Sequence, residues 1–347
     1  MRQPAELQNI LNRAVDQKKI FGTAFSISYK GQSWSGAAGN LQPESQFFIA
    51  STTKLFVSAI VMDLRGKGLL RLDDPIGNYL DSGIMRGLHV LRGKDYSGSI
   101  TIRHLLAHSS GLPCYFESKN SQGQSIQSAL FKGVDRGWTP EGAIELSKTF
   151  QPYFAPGSPG KAHYSDTNFQ LLGLIMDRIS GKTFSQNCRE LIFEPLGMNQ
   201  TYIFEDCSDS RPATMHYKRN KLPIPRAMRS FGPDGGGVST STELLRFIEA
   251  YLKGRFFPPE YLAEMRDWNK IFFPLQAGIG IHRFKLPWYF NPNGIVPELI
   301  GHSGLSGTMA YGNLSQDLFV AGTVNQIAYP SGSFQVAVKL ILKVLKG

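Results

Sequence analysis

Cysteine is scarce: three stand in 347 residues, Cys114, Cys188 and Cys207, and no C-x-x-C pair occurs. An odd number at such spacings builds neither a disulfide framework nor a zinc ribbon. They read as incidental buried or free thiols and as mild support for a reducing compartment. Long apolar runs are also missing. The longest mostly apolar stretch, Leu55–Leu64, is interrupted by Ser58 and Asp63, far short of the roughly 20 residues a bilayer span needs. The opening residues, MRQPAELQNILNRAV, hold no apolar h-region, so no secretory signal is read here. The chain is cytoplasmic as given, or exported with its signal already removed. Internal repeats and low-complexity tracts are absent, and no G-x-S-x-G occurs, which argues against the nucleophile elbow of an α/β-hydrolase.

Charge of one sign is in surplus but not in blocks. Lys+Arg number 37 against 27 Asp+Glu, a formal net charge of +10. No run of the roughly 5–8 basic residues that marks a nucleic-acid patch is present. The surplus therefore reads as a solvated basic surface, with no nucleic-acid partner. At 41% apolar and 18% charged, the composition excludes a disordered or collagen-like chain. The length suggests two domains and suffices for a core without disulfides or metals.

Pattern then divides the chain. Leu7, Ile10, Leu11 and Val15 recur at helical spacing between Pro4 and Lys18. Phe21–Lys30 and Gln32–Ala38 flank Lys30-Gly31 and predict a β-hairpin. From about Phe47 to Asn269 helical pattern dominates, with helices expected at Ser51–Arg65, Thr101–His108, Pro140–Lys148, Asp166–Ser180, Phe184–Ile192 and Thr242–Lys253. Strands are expected again at Ala277–Phe284, Glu298–His302, Thr308–Asn313 and Leu318–Asn325. A final amphipathic helix, Ser333–Leu345, sets Phe334, Val338, Ile341 and Leu345 on one stripe and reads as packing onto a sheet. The expected fold class is α+β: an antiparallel sheet from both termini, residues 1–48 and 272–347, flanked by terminal helices, with a mostly helical domain, residues 49–271, inserted. The seam between them, near Phe47–Ser51 and Leu299–Gly304, is the expected ligand site.

Three short segments near that seam could carry chemistry. Ser51-Thr52-Thr53-Lys54 is an S-x-x-K, and so is Ser158-Pro159-Gly160-Lys161. Context separates them. Ser158 sits in a Pro/Gly loop, whereas Ser51 opens the apolar run LFVSAIVMDL. Residues i and i+3 share a helix face, so Lys54 would lie beside the Ser51 hydroxyl. Burial would disfavour its charged form and make it a possible base. A capping serine followed by a snorkelling lysine is the plainer alternative. Tyr164-Ser165-Asp166 precedes a helix: the phenol could shuttle a proton, and Asp166 could cap the helix, serve the site, or both. His302-Ser303-Gly304 follows the strand-like ELIG, and a strand edge there could offer the Leu305 N–H to an oxyanion together with the Ser51 N–H.

Taken in order, Ser-x-x-Lys, Tyr-x-Asp and His-Ser-Gly resemble the signature of serine β-lactamases of class C and their penicillin-binding-protein and esterase relatives. RHLLAHSSGLPC from Arg103, PGSPGKAHYSDTNFQLLGLIMDRISGKTF from Pro156 and GGGVSTSTELLRF from Gly235 look like further segments of that group. The resemblance runs from about Phe48 to Asn325. It implies a β-lactamase and penicillin-binding-protein-like fold and a serine hydrolase working through an acyl-enzyme without metal or organic cofactor. Ser51 would be the nucleophile, with Lys54 and Tyr164 moving its proton and later protonating the leaving group. Asp166, His302, Ser303, Gly304, Leu305 and, more weakly, Asn325 would contact substrate. Two positions depart from the group's commoner residues: Asp166 replaces Asn, and His302 stands where many members have Lys. An ionised Asp cannot donate to a substrate carbonyl and can pair with Lys54, weakening it as a base.

The implied substrates are small esters, D-amino-acid peptides of cell-wall type, or β-lactams at low turnover. The alternative is a penicillin-binding or sensor module of the same fold that does not turn over; intact Ser51, Lys54 and Tyr164 argue against it. His104 and His108 lie at i, i+4 as in a zinc helix, but Leu105 occupies the place of the glutamate in H-E-x-x-H, so no metal is expected. The sequence carries no signal for an oligomeric state.

Overall fold

The computed structural model describes residues 3–346. Helix α1 (Pro4–Ala14) stops short of Lys18. The Asp16 carboxylate accepts the N–H groups of Lys18, Lys19 and Ile20 and turns the chain into the sheet instead. Strands β1 (Gly22–Tyr29) and β2 (Gln32–Gly39) form the expected hairpin. Lys30 and Gly31 both have positive φ at its tip, the geometry that keeps a two-residue turn in step with strand twist.

The other strands come late: β3 (Asn269–Phe272), β4 (Leu275–Ala277), β5 (His282–Phe284), β6 (Leu299–Gly304), β7 (Thr308–Asn313) and β8 (Leu318–Thr323). They complete an eight-stranded antiparallel sheet in the order β3-β4-β5-β6-β7-β8-β1-β2. The single strand expected over Ala277–Phe284 is two strands. Gly280 at φ 72° breaks it, and a Cβ there would press on Ser58. The sheet also starts earlier than pattern alone suggests, at Asn269.

Both faces of the sheet are covered, so successive residues are buried in two different cores. Phe25, Ile27, Met309, Tyr311 and Val320 pack with Leu7, Leu11, Leu340 and Ile341 under the terminal helices. Ala24, Ile300, Ala310, Phe319 and Ala321 face the helical region. The C-terminal helix, α5 (Ser331–Lys346), buries Val336, Ala337, Leu340 and Ile341, a stripe turned slightly from the expected one. Among the described residues no helix is long and apolar enough to cross a membrane.

Three helices of the middle region form the core behind the site. Ten of the thirteen residues of α2 (Lys54–Gly66) are buried, Lys54 among them, so it is a core helix rather than a surface one. It is joined there by α3 (Thr167–Ser180) and α4 (Ser241–Leu252). Helix α4 lies across β1, β7 and β8. The expected helix at Pro140–Lys148 has those bounds; the one at Phe184 ends at Cys188 and continues as a π turn.

Candidate active site

A tight 3₁₀ turn, Ala50–Thr53, presents Ser51 just ahead of α2. Ala50 holds φ 45°, a left-handed conformation costly for a residue with a Cβ. Its neighbours hold the turn in place. The Ile49 N–H donates to the Gly237 carbonyl at 2.9 Å, the Gly237 N–H donates to Thr53 Oγ1 at 3.0 Å, and Thr53 Oγ1 donates to the Ala50 carbonyl at 2.7 Å. Gly237 cannot carry a Cβ, which would stand 2.7 Å from Thr53 Oγ1. On the other side Gly304, the last residue of β6, lies so close that a Cβ would collide with the Ile49 carbonyl oxygen.

Lys54 is fully buried. Its Nζ donates to Ser51 Oγ at 3.1 Å, to Asp166 Oδ1 at 2.7 Å and to the Asp234 carbonyl at 2.5 Å. All three ammonium protons are thus used. Burial by itself disfavours the ammonium. The Asp166 charge and its hydrogen bond more than offset that and hold the lysine well above its usual range. The expectation from burial alone, a lysine pushed toward a neutral base, is therefore corrected: the paired carboxylate outweighs desolvation. Asp166 occupies the N-cap position of α3 but makes no side-chain cap; its carboxylate goes to Lys54 instead.

Tyr164 lies over the same ammonium, its ring centroid 5.2 Å from Lys54 Nζ. Burial pushes its phenol above the usual value of about 10, while Lys54 and Ser51, both in reach of the hydroxyl, pull the other way. Behind it three buried histidines stack. His108 lies on Tyr164 with centroids 4.4 Å apart, and His282 lies on His302 at 3.8 Å. Burial, and then neighbouring positive charge, keep all three neutral; His282 is pushed to about 3. His302 Nδ1 lies 2.8 Å from the Ser303 carbonyl, so it carries the proton and Nε2 is a bare acceptor.

Ser51, Tyr164, Asp166, His302, Ser303, Gly304 and Leu305 all line one cleft of about 380 Å³. Asn325 is not brought into that lining. It is buried at the end of β8, and its amide donates to the Thr214 carbonyl at 2.9 Å. His104 and His108 serve different segments. His104 Nδ1 accepts the Thr101 N–H in a capping box, while His108 Nδ1 accepts the Ser165 N–H.

Two residues that pattern did not single out belong here. Asp234, fully buried, offers its carbonyl to Lys54, and its Oδ2 accepts from Tyr115 Oη at 2.7 Å and Gln170 Nε2 at 2.9 Å. Burial and then the Asp166 charge push its carboxyl well above the usual range. Cys114 is not incidental: its Sγ accepts the Asp166 N–H at 3.4 Å and lies 3.5 Å from Asp166 Oδ2. All three cysteines are free, and Cys207 alone is exposed. The only hint of Asp234 in the sequence is its place before Gly235-Gly236-Gly237; Cys114 gives none.

The family model described as Beta-lactamase matches residues 7–345. The chain belongs to the beta-lactamase family. It is similar to the D-alanyl-D-alanine-carboxypeptidase/endopeptidase AmpH of Escherichia coli (strain K12), at 30% identity over 63% of this chain and 52% of that protein. The chain thus spans about half the length of that relative. It is also similar to the Beta-lactamase of the same organism, at 23% identity over 84% of this chain and 74% of the relative. Among solved structures, a D-stereospecific amidohydrolase from Streptomyces sp. superposes with a TM-score of 0.81 at 24% identity, covering 97% of this chain and 98% of that one. That likeness is one of fold: the antiparallel sheet with its helical companion is shared.

Proposed function

We propose that this member of the beta-lactamase family is a serine hydrolase that opens an ester or amide through an acyl-enzyme on Ser51. The observation that carries the reading is the buried Lys54 ammonium, 3.1 Å from Ser51 Oγ at the floor of a cleft overlooked by Tyr164. A lysine held charged cannot take the serine proton, but it steadies negative charge on Ser51 Oγ and on the phenol oxygen.

Tyr164 is then the relay. As Ser51 Oγ bonds to the carbonyl carbon, its proton passes to Tyr164 Oη. The Tyr164 proton passes to the leaving nitrogen or oxygen as the old bond breaks. Deacylation runs the same path in reverse: water gives its proton through Tyr164 to Ser51 Oγ while its oxygen bonds to the acyl carbon. The backbone N–H groups of Ser51 and Leu305, brought together by the close approach at Gly304, form the oxyanion site. Asp166 holds Lys54 in register, and Ser303 and Gly304 line the substrate's path.

The substrate candidates are small esters, D-amino-acid peptides and slowly turned-over β-lactams. Intact-mass spectrometry after exposure to a penicillin, a p-nitrophenyl ester and a D-Ala-D-Ala peptide tests the reading. A transient acyl mass gain with product release is expected from at least one of them. No adduct and no product from any would contradict it, and a stable adduct without release would make the chain a sensor.

A further inference from the structure

The surplus of positive charge is not spread evenly. Residues 131–138 and 214–231 hold seven Lys and Arg and one acid, Asp135, and so +6 of the formal +10. The two segments make one wall of the cleft: Phe131, Met215, Ile224, Met228 and Phe231 line it. They are tied to each other. The Phe131 ring stacks on Tyr217 with centroids 4.6 Å apart, and the Arg226 and Ala227 N–H groups donate to the Asp135 carboxylate at 3.1 and 2.9 Å. The cations stand on the outer side. Lys132 and Arg136 flank Asp135 in its loop. Lys218, Arg219 and Lys221 belong to a small hairpin, His216–Tyr217 paired with Asn220–Lys221. Arg226 and Arg229 lie at i and i+3 on the helix Pro225–Phe231 and share a face. All seven are exposed, and among the described residues none is in an ion pair. Like charges gathered in this way repel, and a polyanion relieves that cost.

We propose that this outer wall docks a soluble, linear phosphate polymer without bases. Exposed cations gain little from single opposite charges, so a small anion is held weakly. A chain dense in phosphates releases condensed counterions at every contact, and the contacts add. A nucleic-acid strand would bring bases that need open aromatic faces, but Tyr217 is covered by Phe131 and Trp138 meets Phe231 edge-on at 5.0 Å. A membrane surface would need large apolar anchors among the cations, and Val134 is the one large apolar residue exposed in the two segments. The docking goes beyond the hydrolase reading: none of the seven cations belongs to the catalytic group, so polymer binding and turnover are separable.

Fluorescence anisotropy of dye-labelled linear polyphosphate with the whole protein tests this. With about five phosphates met, each doubling of salt should weaken binding roughly tenfold. Lys218→Gln, Arg219→Gln and Lys221→Gln made together should weaken binding about tenfold or more and lessen the log–log salt slope by about 2. Lys339→Gln, Lys343→Gln and Lys346→Gln made together remove the same charge from α5, which covers the other face of the sheet. That variant should bind within about twofold of the parent, since charges beyond a screening length contribute little. Circular dichroism confirms that both triple variants are folded. Ser51→Ala should bind the polymer as the parent does, so a failure of the hydrolase reading leaves this result standing. Equal losses in the two triple variants would reduce the wall to net charge and overturn the proposal. So would the lack of any binding at low salt, or tighter binding of single-stranded DNA or of phosphatidylglycerol vesicles than of polyphosphate at equal salt.

Discussion

The chain contains the same four-residue pattern twice, in two opposite settings. At Ser51 the serine stands on a clamped turn, and its lysine is fully buried at the head of a core helix between the Asp166 carboxylate and the Asp234 carbonyl. At Ser158 the hydroxyl is turned back onto the Ala155 carbonyl at 2.6 Å in a Pro/Gly loop, and Lys161 is exposed. What makes a serine and a lysine into a site is thus not their spacing. It is the burial that strips water from the ammonium and the Asp166 carboxylate that keeps it charged there.

The largest expected effect sets the two serines against each other. Ser51→Ala should cost roughly 10⁴-fold or more in ester turnover with the fold intact by circular dichroism, as loss of a covalent nucleophile does. Ser158→Ala should leave turnover unchanged. Equal turnover of the Ser51 variant and the parent would break the comparison. The lysines come next. Lys54→Ala leaves the buried Asp166 carboxylate without its cation and should lower unfolding free energy by about 3–5 kcal/mol, read by urea denaturation. Lys161→Ala should stay within about 0.5 kcal/mol, as surface changes do.

A smaller effect concerns Asp166. Asp166→Asn removes the anion 2.7 Å from Lys54, weakening the hold on the charged lysine. It also supplies an amide N–H toward a substrate carbonyl. Stopped-flow acylation by a penicillin should speed up severalfold, with less gain for a simple p-nitrophenyl ester. Unchanged rates for both would leave Asp166 only a packing role.

A last effect, read by pH, belongs to the Ser51 setting. His108, His282 and His302 are kept neutral in the fold. Below about pH 6.5 the unfolded chain takes up protons that the fold refuses, so stability falls as pH drops through that value. For His282 the fall continues to about pH 3, where the folded protein also protonates. The unfolding free energy read by urea denaturation should drop between about pH 6.5 and pH 5 by about 1.4 kcal/mol per fully shifted histidine and pH unit. His282→Phe should flatten the dependence, and an unaltered slope would remove His282 from the account.

The sequence makes the site's outline legible and hides its inner supports. Ser51, Lys54, Tyr164 and His302 stand in short ordered motifs, and the hairpin, the helix at Pro140 and the strand at Thr308 follow from period and turn residues. Asp234, Cys114 and His282 come from segments far apart in the chain, and only packing brings them to Lys54, Asp166 and His302 respectively. No local pattern encodes such meetings. The charge of Lys54 is hidden for the same reason. Burial is readable from the apolar run after it, but the counterion arrives from a residue 112 positions away. Gly280 shows the opposite failure: the glycine is visible, but that it breaks the strand follows from its contact with Ser58 on α2.

The most direct measurement is where an acyl group lands. The protein is quenched in acid during turnover of p-nitrophenyl butyrate, digested and mapped by mass spectrometry. A butyryl group on the peptide containing Ser51, absent from the Ser158 peptide and absent in Ser51→Ala, is the predicted result. Acylation at Ser158, or full turnover with Ser51 unmodified, would contradict the account.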